Sequence, residues 1–181
     1  MVHIRFVKLL PKGTFVLGGA ASGKSEWAEN LCLSNSLSCV YLATGRVGDD
    51  EISMRVKVHK ARRDSSWRTV EAPLDLGPQL SEVAADTTVL IDCATMWLSN
   101  HMMAQADLGS ATAGLQEALS RCRAPWVIVS NEVGHGIVPE NALARQFREA
   151  QGRLNIALAQ QAALAVMIVA GLPQVLKGVL P

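Results

Sequence analysis

The residues best suited to chemistry begin at Gly18. The run Gly18-Gly19-Ala20-Ala21-Ser22-Gly23-Lys24-Ser25 satisfies the pattern G-x-x-x-x-G-K-[ST]. Its glycines permit tight turns, so that successive backbone N–H groups can converge on phosphate oxygens. Lys24 would reach the β- and γ-phosphates and the Ser25 hydroxyl would bind Mg²⁺. A helix starting at this point adds its positive end to the anion site. An apolar run over residues 14–17 precedes the motif and a helical pattern over 25–34 follows it, the strand–loop–helix context that such a loop needs. Asp92 closes the apolar run Val89-Leu90-Ile91. It is expected as the second Mg²⁺ partner on a strand beside the loop, with a helix cap as the alternative reading. These features define a Mg²⁺–nucleotide site and leave the reaction open, because many chemistries share it.

A second group of residues bears on the reaction. His59 lies in a helical pattern over residues 50–63, and helical geometry places Arg55 and Arg62 within about 40–60° of it around the axis. Protonating an imidazole between two guanidinium groups adds like charge, so the ring is expected to stay neutral at neutral pH. A neutral imidazole can attack phosphorus while arginines hold phosphate oxygens, which would give a nucleotidyl-histidine. A partly buried histidine with solvated arginines is the other reading. The loop over residues 131–141 (NEVGHGIVPEN) follows an apolar strand and precedes a long helix. Ligands of open parallel sheets bind beyond the carboxyl ends of the strands, so this loop is an expected acceptor-binding element on the same edge as the phosphate loop. An ordinary turn before a helix is its alternative reading.

The elements that must position these groups alternate along the chain. Short apolar runs at residues 14–17, 39–43, 67–71, 88–91, 126–130 and 164–170 read as strands. Helical patterns occupy residues 25–34, 50–63, 74–85 (interrupted by Gly77-Pro78), 94–106, 111–122 and 140–161. The last carries Leu143, Phe147, Ala150, Leu154 and Leu158 on one stripe. Residues 108–114 read as the softest loop. Continuous apolar strands separated by helices imply an α/β fold, a mostly parallel sheet with helices on both faces.

Composition narrows the classes further. Of 181 residues, 49% are apolar and 18% charged, enough for one packed domain and unlike a disordered or fibrous chain. Lys+Arg number 17 against Asp+Glu 16, and aromatics make up 4%. Such a near-neutral, aromatic-poor chain argues against nucleic acid as a partner. Cys32, Cys39, Cys93 and Cys122 form no C-x-x-C pair, so they read as reduced buried thiols of a cytoplasmic protein rather than zinc ligands. Residues 1–11 lack the features of a secretion signal. The longest apolar run, residues 162–173, is too short to cross a bilayer, so no stable membrane insertion is expected.

Taken together, these motifs resemble the bifunctional adenosylcobinamide kinase / adenosylcobinamide-phosphate guanylyltransferase family of cobalamin biosynthesis. The resemblance runs over residues 14–178 through LGGAASGKS, VYLAT, DDEISMRVKVHKARR, WRTVEAP, LIDCATMWLSN, SNEVGHGIVPENALARQFREAQGRLN and VAGLPQVLKG. It implies a RecA-like P-loop NTPase fold, with residues 14–181 as a single catalytic domain and residues 1–13 as an extension outside the match. It further implies phosphorylation of adenosylcobinamide with ATP or GTP, then transfer of GMP from GTP through a guanylyl-histidine with release of pyrophosphate. His59 matches the guanylylated histidine and Gly18–Ser25 the phosphate loop. Ala43, Thr44 and Gly45, then His59, Lys60, Ala61 and Arg62, and finally Glu71 and Asp92 match positions of further nucleotide contacts. The family is oligomeric, and a homotrimer is expected by resemblance. Two positions depart from its pattern: Ala21 stands where an arginine is usual, and His135 where an aromatic or apolar residue is common. A P-loop small-molecule kinase without a covalent intermediate, and a RecA-like ATPase interaction module, are the competing readings.

Overall fold

Strands buried on both faces need apolar side chains at successive positions, and the apolar runs of this chain become such strands. The computed structural model describes residues 10–36, 38–45 and 65–181. Seven strands form one sheet among the described residues: β1 (Gly13–Gly18), β2 (Cys39–Ala43), β3 (Trp67–Glu71), β4 (Thr88–Asp92), β5 (Trp126–Asn131), β6 (Leu164–Val169) and β7 (Leu172–Lys177). Their order across the sheet is β3-β2-β4-β5-β1-β6-β7. All neighbours are parallel except β7, which runs antiparallel to β6. The helices are α1 (Lys24–Asn35), α2 (Gly77–Glu82), α3 (Ala94–Met103), α4 (Leu108–Arg121) and α5 (Ala142–Gln161). No helix among the described residues is long and apolar enough to cross a membrane.

The side-chain period of two divides the core into two layers. Phe15, Val40, Leu42, Val89, Ile91, Trp126 and Ile128 pack on one face with residues of α2, α3, α4 and α5. Val16, Tyr41, Leu90, Val127, Val129, Val166 and Ile168 pack on the other with Ala28 and Cys32 of α1. Each fully buried Leu, Ile or Phe contributes about 1.5–3 kcal/mol. Many such residues from non-local strands fix one arrangement of the carboxyl edge, where β1 to β5 all end.

Three expectations from the sequence require correction. Residues 108–114 are the first turns of α4, because the Asp107 carboxylate accepts the Ser110 N–H at 2.6 Å and caps a start that Gly109 and Ser110 had made look loop-like. Gly77-Pro78 opens α2 instead of interrupting a longer helix, with proline in the first turn, where its missing N–H costs nothing. Leu143, expected on the buried stripe of α5, is exposed, and the stripe is completed by buried Gln151 and Asn155. Strand β7 has no counterpart in the sequence reading. The predicted helix over residues 50–63 lies outside the described residues.

Gly13 marks one tight point of the sheet. A methyl group there would overlap the buried Trp126 indole of the neighbouring strand. Gly13→Ala is therefore expected to lower unfolding free energy by about 1–3 kcal/mol through overpacking, measured by urea unfolding.

Candidate active site

The phosphate loop leaves the end of β1 and enters α1. Ala21 (φ 53°) and Gly23 (φ 88°) both take the left-handed region, which reverses the chain twice within five residues. Ala21 therefore holds a conformation that normally favours glycine. No side chain caps α1, whereas Asp107 caps α4 and Asn141 caps α5. α2 and α3 likewise lack a side-chain cap, but only α1 follows the glycine-rich loop, which suits its first amides to an anion. The Lys24 ammonium folds back over the loop and donates to the Gly19 carbonyl at 3.0 Å. The Ser22 hydroxyl is buried with no hydrogen-bond partner. It packs so closely over Gly18 that any side chain at 18 would collide with it and with the Ile168 carbonyl. Behind the loop, the β6–β7 turn donates the Gly171 N–H to the Ser22 carbonyl at 2.8 Å.

Asp92 ends β4 on the same edge. Its Oδ2 accepts the Tyr41 hydroxyl at 2.7 Å. The N-cap of α3 is Cys93, which makes no side-chain cap, so the capping role weighed for Asp92 does not apply. Thr44, just past β2, is buried, and its hydroxyl both donates to the Cys93 carbonyl and accepts the Cys93 N–H, each at 2.7 Å. The Asn100 amide of α3 then joins two loops, donating to the Thr44 carbonyl at 2.7 Å and the Pro73 carbonyl at 2.9 Å. Ala43, Thr44 and Gly45 are thereby held beside the segment that follows the exposed Glu71, whose neighbour Ala72 donates to the Ala43 carbonyl at 2.9 Å. Burial, with Asp92 adjacent, pushes the Cys93 thiol up to about 12.

The loop after β5 is pinned from beneath. Asn131 donates its N–H to the Thr95 hydroxyl at 2.8 Å and accepts from the Asn155 amide at 3.3 Å. Ser130, Gln151 and Asn155 complete a buried polar cluster: Ser130 donates to Asn155 at 2.6 Å, and Gln151 donates to both. Farther along, Arg148 donates to the carbonyls of Gly134 and Ile137, and Arg145 to that of Pro139. The backbone is held while His135, Gly136, Ile137 and Val138 face outward, with Ile137 96% exposed.

The structure thus gathers Gly18, Gly19, Ala20, Ala21, Ser22, Gly23, Lys24 and Ser25 with Ala43, Thr44, Gly45, Glu71 and Asp92 along one carboxyl edge. His59, Lys60, Ala61 and Arg62, with Arg55, lie outside the described residues. Sequence reasoning did not single out Asn100, Thr95, Ser130, Gln151 or Asn155 as contributors. The signal available for the last two was polar side chains four apart, set among the apolar positions of a helix.

A central strand leading into a phosphate loop, with a carboxylate two strands away across β5, defines a P-loop nucleotide-binding protein, and the sheet places it among RecA-like folds. Solved structures of similar fold include FlaH, a flagellar accessory protein from Methanocaldococcus jannaschii (TM-score 0.51, 12% identity, 94% of this chain and 80% of that one). The RadB recombinase is another (TM-score 0.51, 16% identity, 88% of this chain and 75% of that one). These likenesses concern the fold alone. The family model described as cobinamide kinase / cobinamide phosphate guanyltransferase matches residues 14–176, and the chain belongs to that family. A bifunctional adenosylcobalamin biosynthesis protein, CobP of Pseudomonas aeruginosa, is 41% identical over 168 residues, covering 90% of this chain and 96% of its own. Another, CobU of Salmonella typhimurium, is 37% identical over 173 residues, covering 87% and 95%.

Two outcomes test the scaffold of the site. Thr44→Val keeps the shape and removes the hydroxyl, leaving two buried backbone groups of Cys93 unpaired. It should cost about 2–3 kcal/mol by denaturant titration, with Thr44→Ser costing less. The raised Cys93 pKa contributes stability that is fully present below the unfolded thiol value and lost as pH rises toward about 12. Unfolding free energy of the parent should accordingly fall more steeply above about pH 9 than that of Cys93→Ala, by up to about 1.4 kcal/mol per pH unit.

Proposed function

We propose that this chain phosphorylates the aminopropanol hydroxyl of adenosylcobinamide with ATP or GTP. It then transfers GMP from GTP to the resulting phosphate, giving adenosylcobinamide-GDP and pyrophosphate. The observation that carries this reading is the family match over residues 14–176, which spans both the uncapped phosphate loop and the His59 segment. Lys24 and the amides of residues 19–25 bind the triphosphate and draw charge from it as the γ-phosphoryl group moves. Ala43, Thr44, Gly45 and Glu71 border the nucleotide on the β2–β3 side. The exposed Ile137 and Val138, on a backbone fixed by Arg145 and Arg148, offer an apolar contact to a bulky acceptor.

The Ser25 hydroxyl and Asp92 carboxylate are hard oxygen donors and fit Mg²⁺. Among the described residues no group of three or more His, Cys, Asp or Glu side chains could hold a metal. The cation's remaining ligands would be phosphate oxygens and water, as Mg²⁺ prefers. When bound, it neutralises charge on the β- and γ-phosphates.

Guanylyl transfer acts at the α-phosphorus and uses a separate nucleophile. An imidazole nitrogen of His59 attacks that atom, pyrophosphate leaves, and the phosphate of the acceptor then displaces the histidine. Splitting the transfer keeps the activation in a phosphoramidate bond between the two displacements. Arg55 and Arg62, which a helical spacing would set near His59, would supply positive charge to the phosphate. The four buried free cysteines accord with a reducing cytoplasm. The exposed apolar residues of edge strand β7, Leu172 and Leu176, accord with association into a homotrimer.

Incubation with GTP labelled at the α-phosphate should leave acid-labile label on the denatured chain, and His59→Ala should carry none. Lys24→Ala should reduce turnover of both reactions by about 10²–10³-fold. Phosphorylation without any retained label would instead select the kinase lacking a covalent intermediate.

A further inference from the structure

We propose that Glu132 is the proton acceptor for the acceptor hydroxyl in the phosphorylation reaction, an inference that rests on the kinase reading above. Strand β1, which delivers the phosphate loop, is flanked by β5 and β6. The residues at the ends of these flanks, 131–133 and 169–171, contain one ionisable side chain, Glu132. Its backbone N–H donates to the carbonyl of Gly18, the first residue of the phosphate loop, at 3.0 Å. Asp92 lies one strand farther, beyond β5, and is engaged by Tyr41. Glu71 ends β3 at the far edge of the sheet.

The carboxylate is held but not exhausted. Oε1 accepts the Gly134 N–H within its own loop, and no donor among the described residues bonds Oε2. A carboxylate has about four acceptor positions, so the group can take a further donor without leaving its place. Its base is held by the clamp on Asn131, made by Thr95 from α3 and Asn155 from α5. A carboxylate whose backbone is bonded to the phosphate loop, with the exposed loop residues 135–138 following it, suits a group that must meet an incoming hydroxyl.

The step balances without any further reagent. The hydroxyl oxygen forms a bond to the γ-phosphorus. The bond from that phosphorus to the oxygen bridging the β-phosphate breaks, and its electron pair departs with the nucleoside diphosphate. The hydroxyl proton passes to Glu132 and then to water. Guanylylation of His59 and GMP transfer to a phosphate remove no hydroxyl proton, so they do not call on this group.

Glu132→Gln separates these roles, because its side-chain carbonyl can still accept the Gly134 N–H. Three rates are measured on parent and variant: phosphorylation of adenosylcobinamide by ATP, self-labelling by α-labelled GTP, and GMP transfer to adenosylcobinamide phosphate. Phosphorylation is expected to fall by about 10²–10⁴-fold, at least tenfold more than either of the other rates, which also report that the variant is folded. A smaller fall, or an equal fall in all three, overturns the proposal and leaves Glu132 a turn-forming residue. A parent chain that phosphorylates nothing would instead refute the kinase reading, and this inference with it.

Discussion

The structure depends on one junction: a strand paired on both sides runs straight into a helix whose first amides are left without a side-chain partner. β1 is held by β5 and β6 along its length, so its last residue cannot drift. N–H groups at a helix start that no N-cap side chain meets would be a cost in an isolated helix. Here they lie at the end of the glycine-rich loop, where an anion would relieve them and the macrodipole would favour it. The other groups of the site are arranged around that fixed point by parallel strands that end together.

What surrounds the junction is mostly hydrogen bonding between buried polar side chains and main chain. Thr44 ties β2 to the start of α3, Asn100 ties the β2 and β3 loops together, and Thr95 with Asn155 grips the end of β5. A buried donor or acceptor is expensive to leave alone, and these four side chains each find main-chain partners. The result is a rigid floor on which exposed side chains such as those of Glu71 and Ile137 are displayed. Different faces of α3 serve the two halves of the edge: Asn100 reaches the loops after β2 and β3, and Thr95 the end of β5.

The sheet and the phosphate loop were readable in advance because parallel strands buried on both faces leave uninterrupted apolar runs, and because the loop motif is local. The start of α4 was not, since Gly109 and Ser110 disfavour a helix until Asp107 caps it. β7 was hidden for a similar reason. It lies at an edge, carries Pro173 and exposes most of its side chains, so neither alternation nor continuous apolarity marks it. Gln151 and Asn155 look like surface residues until α5 is seen to turn them inward, under the β5 loop. At the site, the spacing of the motifs pointed to Lys24, Ser25 and Asp92. The floor beneath them is built from residues distant in sequence, whose meeting no local pattern announces.

The amide of Gly171 bonded to Ser22 joins the β6–β7 turn to the phosphate loop across a long stretch of sequence. A cradle built on β1 and α1 is therefore unfinished until the β6–β7 ribbon, distant from it in sequence, has docked. Loop closure over so long a separation is slow relative to local structure. A ligand that bound the loop only in this docked arrangement would, by linkage, secure the β6–β7 ribbon in turn.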